Sequence, residues 1–109
     1  MANTFKLKTK ANVGVTTVCI YTAPAATTTV VIGITMANTS GSGVNVGVGI
    51  TRAGTTEDIK LLKNAPLPQG SSLEFMAGNK IVLEATDTLT VDSDTNNSVD
   101  AALTIMEIT

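Results

Sequence analysis

Nine carboxylates, one thiol and no imidazole are the reactive groups of this 109-residue chain. Histidine is the commonest general base and metal ligand, so its absence removes the Ser-His and Cys-His nucleophile pairs together. The thiol, Cys19, alternates with Val18 and Ile20 in a β-rich run. It reads as a small buried hydrophobe with no activating partner. Acid–base work needs two carboxylates held at one cleft. The candidates are Glu57, Asp58, Glu74, Glu84, Asp87, Asp92, Asp94 and Asp100. Glu57 and Asp58 are adjacent, so they point to opposite sides of a strand or lie in a loop. Glu74 and Glu84 alternate with apolar neighbours and read as solvated positions. Nothing in the spacing marks a pair, and the chain is expected not to be an enzyme.

Two other stretches have the composition of ligand loops. "DSDTN", residues 92 to 96, places Asp92, Asp94 and Asn96 at the first three ligand positions of a calcium loop. That loop then needs Gly at its sixth position and Glu at its twelfth, where this chain has Asn97 and Leu103. The stretch is read as a polar hairpin turn. "GSGVNVGVG" lacks the Gly-Lys-Ser/Thr ending of a phosphate loop, and its alternating valines continue as a strand. No metal or cofactor is expected.

Composition narrows the partners. Charged residues make up 15 % of the chain, against roughly 25 % in typical soluble proteins. Net charge is -2, aromatics are 3 %, and there is no Trp. A polyanion or stacked bases would be poorly held, so no nucleic-acid partner is expected. No run reaches the about 20 apolar residues that a bilayer span requires, and no membrane partner is expected. "MANTFKLKTK" lacks the apolar core of a secretion signal, and one cysteine excludes an internal disulfide framework. Assembly in a reducing cytoplasm fits both.

The elements that must position these groups read almost wholly as strand and turn. Runs with period-2 alternation recur every 8 to 12 residues or so, separated by Gly, Pro, Asn and Ser. The expectation is a single all-β domain over residues 1–109. Its architecture would be an antiparallel sandwich of about eight or nine strands, Ig-like or jelly-roll. Residues 1–10 are either an N-terminal arm or an edge strand. Within them Phe5 and Leu7 alternate with Lys6, Lys8 and Lys10. Phe5 and Phe75 are placed in the core, which leaves Tyr21 as the exposed aromatic. The lysine stripe is either a solvated edge that discourages aggregation or a docking row for acids on a neighbour.

"GVNVGVGITRAG" carries apolar residues on one face and Asn45, Gly47, Gly49 and Thr51 on the other. A hairpin of residues 30–38 with 44–52, centred on Gly41, sets Ile32 against Ile50, Ile34 against Val48 and Met36 against Val46. That register gathers the large apolar groups on one side. It also sets Gly33 opposite Gly49 and Thr35 opposite Gly47, leaving a bare outer patch. Such glycines mark either a bulge or the close approach of another subunit. On the second reading, a bulky residue at position 47 or 49 impairs assembly more than folding. A second hairpin is expected in "SLEFMAGNKIVLE", turning at Gly78 and Asn79.

"YTAPAATTTVVIGITMANTSGSGVNVGV" followed by "LLKNAPLPQGSSLEFMAGNKIVLEATDTLTVDSDTNNSVDAALTIMEI" sets out a particular order of strands and turns. That order resembles small structural proteins of tailed bacteriophage particles, from about Tyr21 to Ile108. The resemblance implies a multi-copy β-sandwich of the virion, assembled in the host cytoplasm. It implies identical copies and other virion proteins, such as the major capsid protein, as partners. It implies no catalytic residue. A capsid decoration protein is the leading expectation, with Gly33, Thr35, Gly47 and Gly49 for close packing and Lys6, Lys8 and Lys10 for docking. The alternatives are a neck, tail or fibre protein, or a carbohydrate- or receptor-binding module. Sugar sites present exposed aromatics, and Tyr21 alone would have to serve.

Overall fold

A computed structural model describes residues 3–52, 54, 58–74 and 80–109 of the chain, with the side chain of Asp58 left aside. The alternation seen in the sequence becomes nine strands among these residues. They are β1 (Asn3–Val13), β2 (Val18–Thr22), β3 (Thr28–Asn38), β4 (Val44–Thr51), β5 (Asp58–Leu67), β6 (Ser72–Glu74), β7 (Ile81–Leu83), β8 (Thr88–Ser93) and β9 (Val99–Ile108). In β9 the rule is plainest. Val99, Ala101, Leu103, Ile105 and Glu107 are buried, while Asp100 and Thr104 are exposed.

The strands form two antiparallel sheets. One has the order β1-β9-β3, with β6 and β7 both on the free side of β3; the other has the order β2-β8-β4-β5. The pairings are nested: β1 with β9, β2 with β8, β3 with β6 and β7, β4 with β5. Most links therefore cross from one sheet to the other. That is a chain folded once into a long hairpin and then wrapped, which is the jelly-roll form of sandwich and not the Ig-like one. The core between the sheets includes Val31, Ile34, Met36, Val46, Val48, Leu67, Leu83, Leu89, Val91, Leu103 and Ile105.

Three sequence expectations are corrected by this topology. First, β3 and β4 do not pair; they lie in opposite sheets. Residues 39–43 form an arch between them. Asn38 pins it, donating from Nδ2 to the carbonyls of Ser42 at 2.8 Å and Leu67 at 2.9 Å, and accepting the Ser40 N–H at 2.9 Å. A strand pair and two facing strands bury the same apolar face, so alternation alone does not separate them. Second, β6 and β7 do not form a hairpin. Both run antiparallel to β3, β6 along Thr35–Ala37 and β7 along Thr29–Val31. The proposed turn at Gly78 and Asn79 lies outside the described residues, as do Glu57 and Phe75. Third, "DSDTN" is no hairpin turn, because β8 and β9 belong to different sheets.

Register shifts interrupt several of the pairings, and those in β3 and β2 move side chains that matter below. Register slips between Val31 and Gly33 in β3, so Val31, Ile34 and Met36 are buried while Val30 and Ile32 are half-buried. It slips again between Cys19 and Tyr21 in β2, so Tyr21 follows Ile20 into the core; Cys19, ahead of the slip, is exposed by ordinary alternation. An inserted residue flips every later side chain to the other face.

Candidate functional site

The N-terminal strand supplies the most informative inversion. Lys6, Lys8 and Lys10 stand opposite Ile105, Leu103 and Ala101 of β9, which are buried core residues. Directly opposed residues share a face, so the lysines lie on the core side of β1, at its rim, and Phe5 and Leu7 point outward. Phe5 is 68 % exposed and Leu7 66 %. Residues 3–10 thus form an edge strand, with charges turned inward as edge strands often have. The placement of Phe5 in the core is corrected by the same observation.

Lys6 meets Glu107, with Nζ 2.9 Å from Oε1. The other oxygen of Glu107 accepts the Tyr21 hydroxyl, which also lies 2.9 Å from Thr29 Oγ1. Glu107 is buried, and its carboxyl is held below its ordinary value by the Tyr21 hydrogen bond first and by Lys6 second. Tyr21 is buried rather than exposed. Burial and the bond to Glu107 push its hydroxyl up to about 12. This network joins β1, β2, β3 and β9 at one end of the sandwich. It escapes a sequence reading because Glu107 sits 86 positions from Tyr21 and alternates like any strand residue.

The other acids fasten loops. Asp87 is buried, ion-paired with Arg52 Nε at 3.0 Å, and accepts the Glu84 N–H at 3.0 Å. Asp92 accepts the Thr17 hydroxyl at 3.1 Å, Asp94 the Asn45 N–H at 3.1 Å, and Asp100 the Asn12 N–H at 3.0 Å. Among the described residues no three His, Cys, Asp or Glu side chains are grouped as a metal site would need. A cleft of about 270 Å³ opens between the sheets, floored by Ile50, Ile59 and Leu83 with the Arg52–Asp87 pair on its rim.

The bare patch is not assembled. Gly33 and Thr35 lie in β3 of one sheet, Gly47 and Gly49 in β4 of the other. Gly47 and Gly49 are also buried, on the outer side of a central strand. A Cβ on Gly47 would strike the Asp92 carboxylate and come within 3.2 Å of the Leu62 carbonyl oxygen. One on Gly49 would stand 3.0 Å from the Ile59 carbonyl oxygen and 3.2 Å from Thr90 Oγ1. These glycines are small because neighbouring strands of the same chain lean over them.

Cys19 lies on the exposed side of β2, its Sγ 3.3 Å from Thr22 Oγ1, and so is not the buried thiol expected. A thiol reagent is expected to label the folded protein at Cys19 to near one equivalent within minutes. Labelling that appears only in denaturant would contradict this placement.

The surface that sequence reasoning missed is the outer side of the five-stranded sheet. Phe5, Met106, Val30 and Val82 are successive partners on β1, β9, β3 and β7, a single apolar row across four strands. Val82 is 56 % exposed at the end opposite Phe5. Leu7, Thr104 and Gly33 form the next row, and Asn3, Ile108 and Thr28 the row before it. Among the outward positions of these paired residues only Glu74 and Asp100 are charged. The outer side of the other sheet is polar by contrast, with Thr88, Thr90, Asp92, Asn45, Thr51 and Lys60. An antiparallel sheet with one solvated face should show that polar pattern. The signal was present in "VVIGI" and "TIMEI", runs apolar at both parities.

No protein-family model matches the chain, and no curated protein matches it in sequence. Solved structures of similar fold exist. A chain from Bacillus endospore appendages, described as a novel family of disulfide-linked pili, aligns with a TM-score of 0.59 at 15 % identity. The alignment covers 99 % of this chain and 87 % of that one. A chain of the acidic stable capsid of Helicobacter pylori bacteriophage KHP30 aligns with a TM-score of 0.59 at 10 % identity, covering 100 % and 94 %. A chain of the T13 particle of infectious bursal disease virus aligns with a TM-score of 0.59 at 16 % identity. There the match covers 96 % of this chain but only 30 % of the viral one. At these identities the likeness is one of fold.

Proposed function

We propose that this chain is a structural virion protein, present in many copies, that works by burying its surfaces against other shell components. The observation that carries the reading is the outward apolar row Phe5–Met106–Val30–Val82, on a sheet face with almost no charge. An exposed apolar patch of this kind marks an interaction surface, and interface cores are depleted in charge. Fold likeness to viral capsid chains supports the setting, most fully for the phage KHP30 chain, which is matched over 94 % of its length. The finer reading is a capsid decoration protein of a tailed phage, assembled in the host cytoplasm and seated on the major capsid protein. It rests on the motif order in residues 21–108. The chain transforms no molecule and needs no cofactor for this role; repetition of one contact around a shell supplies the strength.

A fibre subunit is the second reading, favoured by the likeness to the spore-appendage chain and by the exposed Cys19. One cysteine per copy links copies only in pairs, so disulfides alone would not propagate such a fibre. Quantitative mass spectrometry of purified particles separates the readings. A shell component is expected at dozens of copies or more, in fixed ratio to the capsid protein, and at constant level under reducing agent. Absence from particles, or release of the chain by reduction, would overturn the first reading.

A further inference from the structure

β1 joins the sandwich in two unlike parts. Of its residues only Val13 is buried and belongs to the core. Residues 3–10 are laid along β9 by a backbone ladder, from Asn3 opposite Ile108 to Lys10 opposite Ala101. Among the described residues, one ion pair ties their side chains to the body, Lys6 with Glu107. Lys6 is 44 % exposed, so that pair adds little.

The root of the strand is held differently. The Ser98 N–H donates to the Val13 carbonyl at 3.1 Å, the Ser93 N–H to the Gly14 carbonyl at 3.0 Å, and the Asn12 N–H to Asp100 at 3.0 Å. A Cβ on Gly14 would stand 3.0 Å from Asn96 Oδ1. The two parts meet at a register shift. β1 advances from Lys10 to Val13 while β9 runs from Ala101 to Val99, so one residue is extra, and Asn12 takes a left-handed φ of 58°. A bulge interrupts the ladder, which divides a segment that opens locally from one that opens only with the core.

We propose that residues 3–11 are an exchangeable arm, which in the assembled protein leaves β9 of its own copy and pairs with β9 of a neighbouring copy. The inference rests on the multi-copy reading above and names how copies are tied together. The complement of a vacated β9 edge is carried by every chain. Exchange therefore remakes between copies the ladder and the Lys6–Glu107 pair that each copy makes alone, and no residue of the core cluster moves. The closed and exchanged forms differ at the hinge and in the entropy of association. An extended hinge frees Asn12 from a conformation that non-glycine residues seldom adopt. Crowding of copies in one particle lowers the entropic cost. Residues 3–11 span about 30 Å when extended, against 28 and 21 Å for the shorter dimensions of the molecule. The apolar row on the outer sheet face persists, with Phe5 supplied by the neighbour.

Oxidative trapping in the full chain tests this. Leu7 and Thr104 are directly opposed on the outward face. In a Cys19→Ser background, Leu7→Cys with Thr104→Cys can close a disulfide inside one copy or between two. Closure within one copy is expected at about 1 µM, far below the roughly millimolar effective concentration of a tethered segment, and closure between copies at about 1 mM. There, covalent dimers should exceed at least tenfold those of Leu7→Cys with Lys60→Cys, whose second site lies on the other sheet. Melting temperatures check that each variant is folded, and Thr9→Cys with Ala102→Cys is a second opposed pair. Closure within single copies at every concentration, or dimers no more abundant than with Lys60→Cys, would overturn the proposal. Chains locked internally at dilution should enter particles at least tenfold less than the native chain. Normal entry of the locked chain would sink the arm alone, whereas absence of the native chain from particles would sink the structural reading itself.

Discussion

Glu107→Ala is expected to destabilise the fold by about 3 kcal/mol, a drop in Tm of 10 °C or more. The cost arises because Glu107 is the common acceptor of two donors, the buried Tyr21 hydroxyl and the Lys6 ammonium. Removing it leaves Tyr21 with Thr29 alone and strands Lys6 beside the core. Hydrogen bonds to a charged group are worth roughly 1.5–3 kcal/mol. The Lys6 pair adds less, since the Lys6 side chain is 44 % exposed. The effect depends on pH with a definite sign. The carboxyl of Glu107 is held below its ordinary 4.5, so its contribution is complete above that value and is lost as pH falls through the lower, folded-state value. The Tm gap between the native chain and Glu107→Gln should therefore be widest near neutrality and shrink toward pH 3. A gap that widens in acid would mean that Glu107 is not the held-down carboxylate.

Gly47→Val should destabilise the fold itself rather than spoil a contact between copies. Its Cβ would press on the Asp92 carboxylate and the Leu62 carbonyl oxygen, and the two added methyls have no room between β8 and β5. Asp92 would also be pushed from its 3.1 Å bond to the Thr17 hydroxyl. Overpacking of this kind costs about 3 kcal/mol. Gly41→Val supplies the contrast: nothing lies within 4 Å of its Cβ, so a change under about 0.5 kcal/mol is expected. Urea midpoints for the two variants read the difference directly. Equal midpoints would restore the view of Gly47 as part of an open packing surface.

That reversal marks the boundary of what the sequence discloses. Strand existence was legible: β9 spans the run "VDAALTIMEI", and β3 and β4 fall within a residue or two of the alternating segments. Alternation reports that a face is buried. It does not report whether the covering layer is a paired neighbour or the opposite sheet, and so the arch at residues 39–43 reads as a hairpin in the sequence. Bulges are the second blind spot. Each inserts one residue whose effect is a phase flip, and no residue type at Ile32 or Ile20 announces it. This is how Tyr21 comes to lie inside; Cys19 is exposed by the unbroken alternation ahead of the bulge. The third is charge at an edge. Lys6, Lys8 and Lys10 read as a solvated stripe because lysine usually faces water. In fact the strand lies at the rim, where long stems cross the core edge and ammonium groups still reach water.

Once those three points are settled, the candidate surface moves. The glycines of β4 become internal packing sites, and the proposed contact surface is that of Phe5, Val30, Val82 and Met106. These are apolar residues with a sheet behind them, and Phe5 and Val82 at the two ends of the row are exposed. The jelly-roll wrap explains their alignment: it sets β1 beside β9 and β9 beside β3, so residues far apart in sequence fall into one row.

A cryo-electron microscopy reconstruction of the assembled particle tests the central claim most directly. The account predicts a nine-strand sandwich repeated around the shell, with the Phe5–Met106–Val30–Val82 row covered by protein in every copy. A particle in which that face looks into solvent, or in which no such sandwich is found, would contradict it.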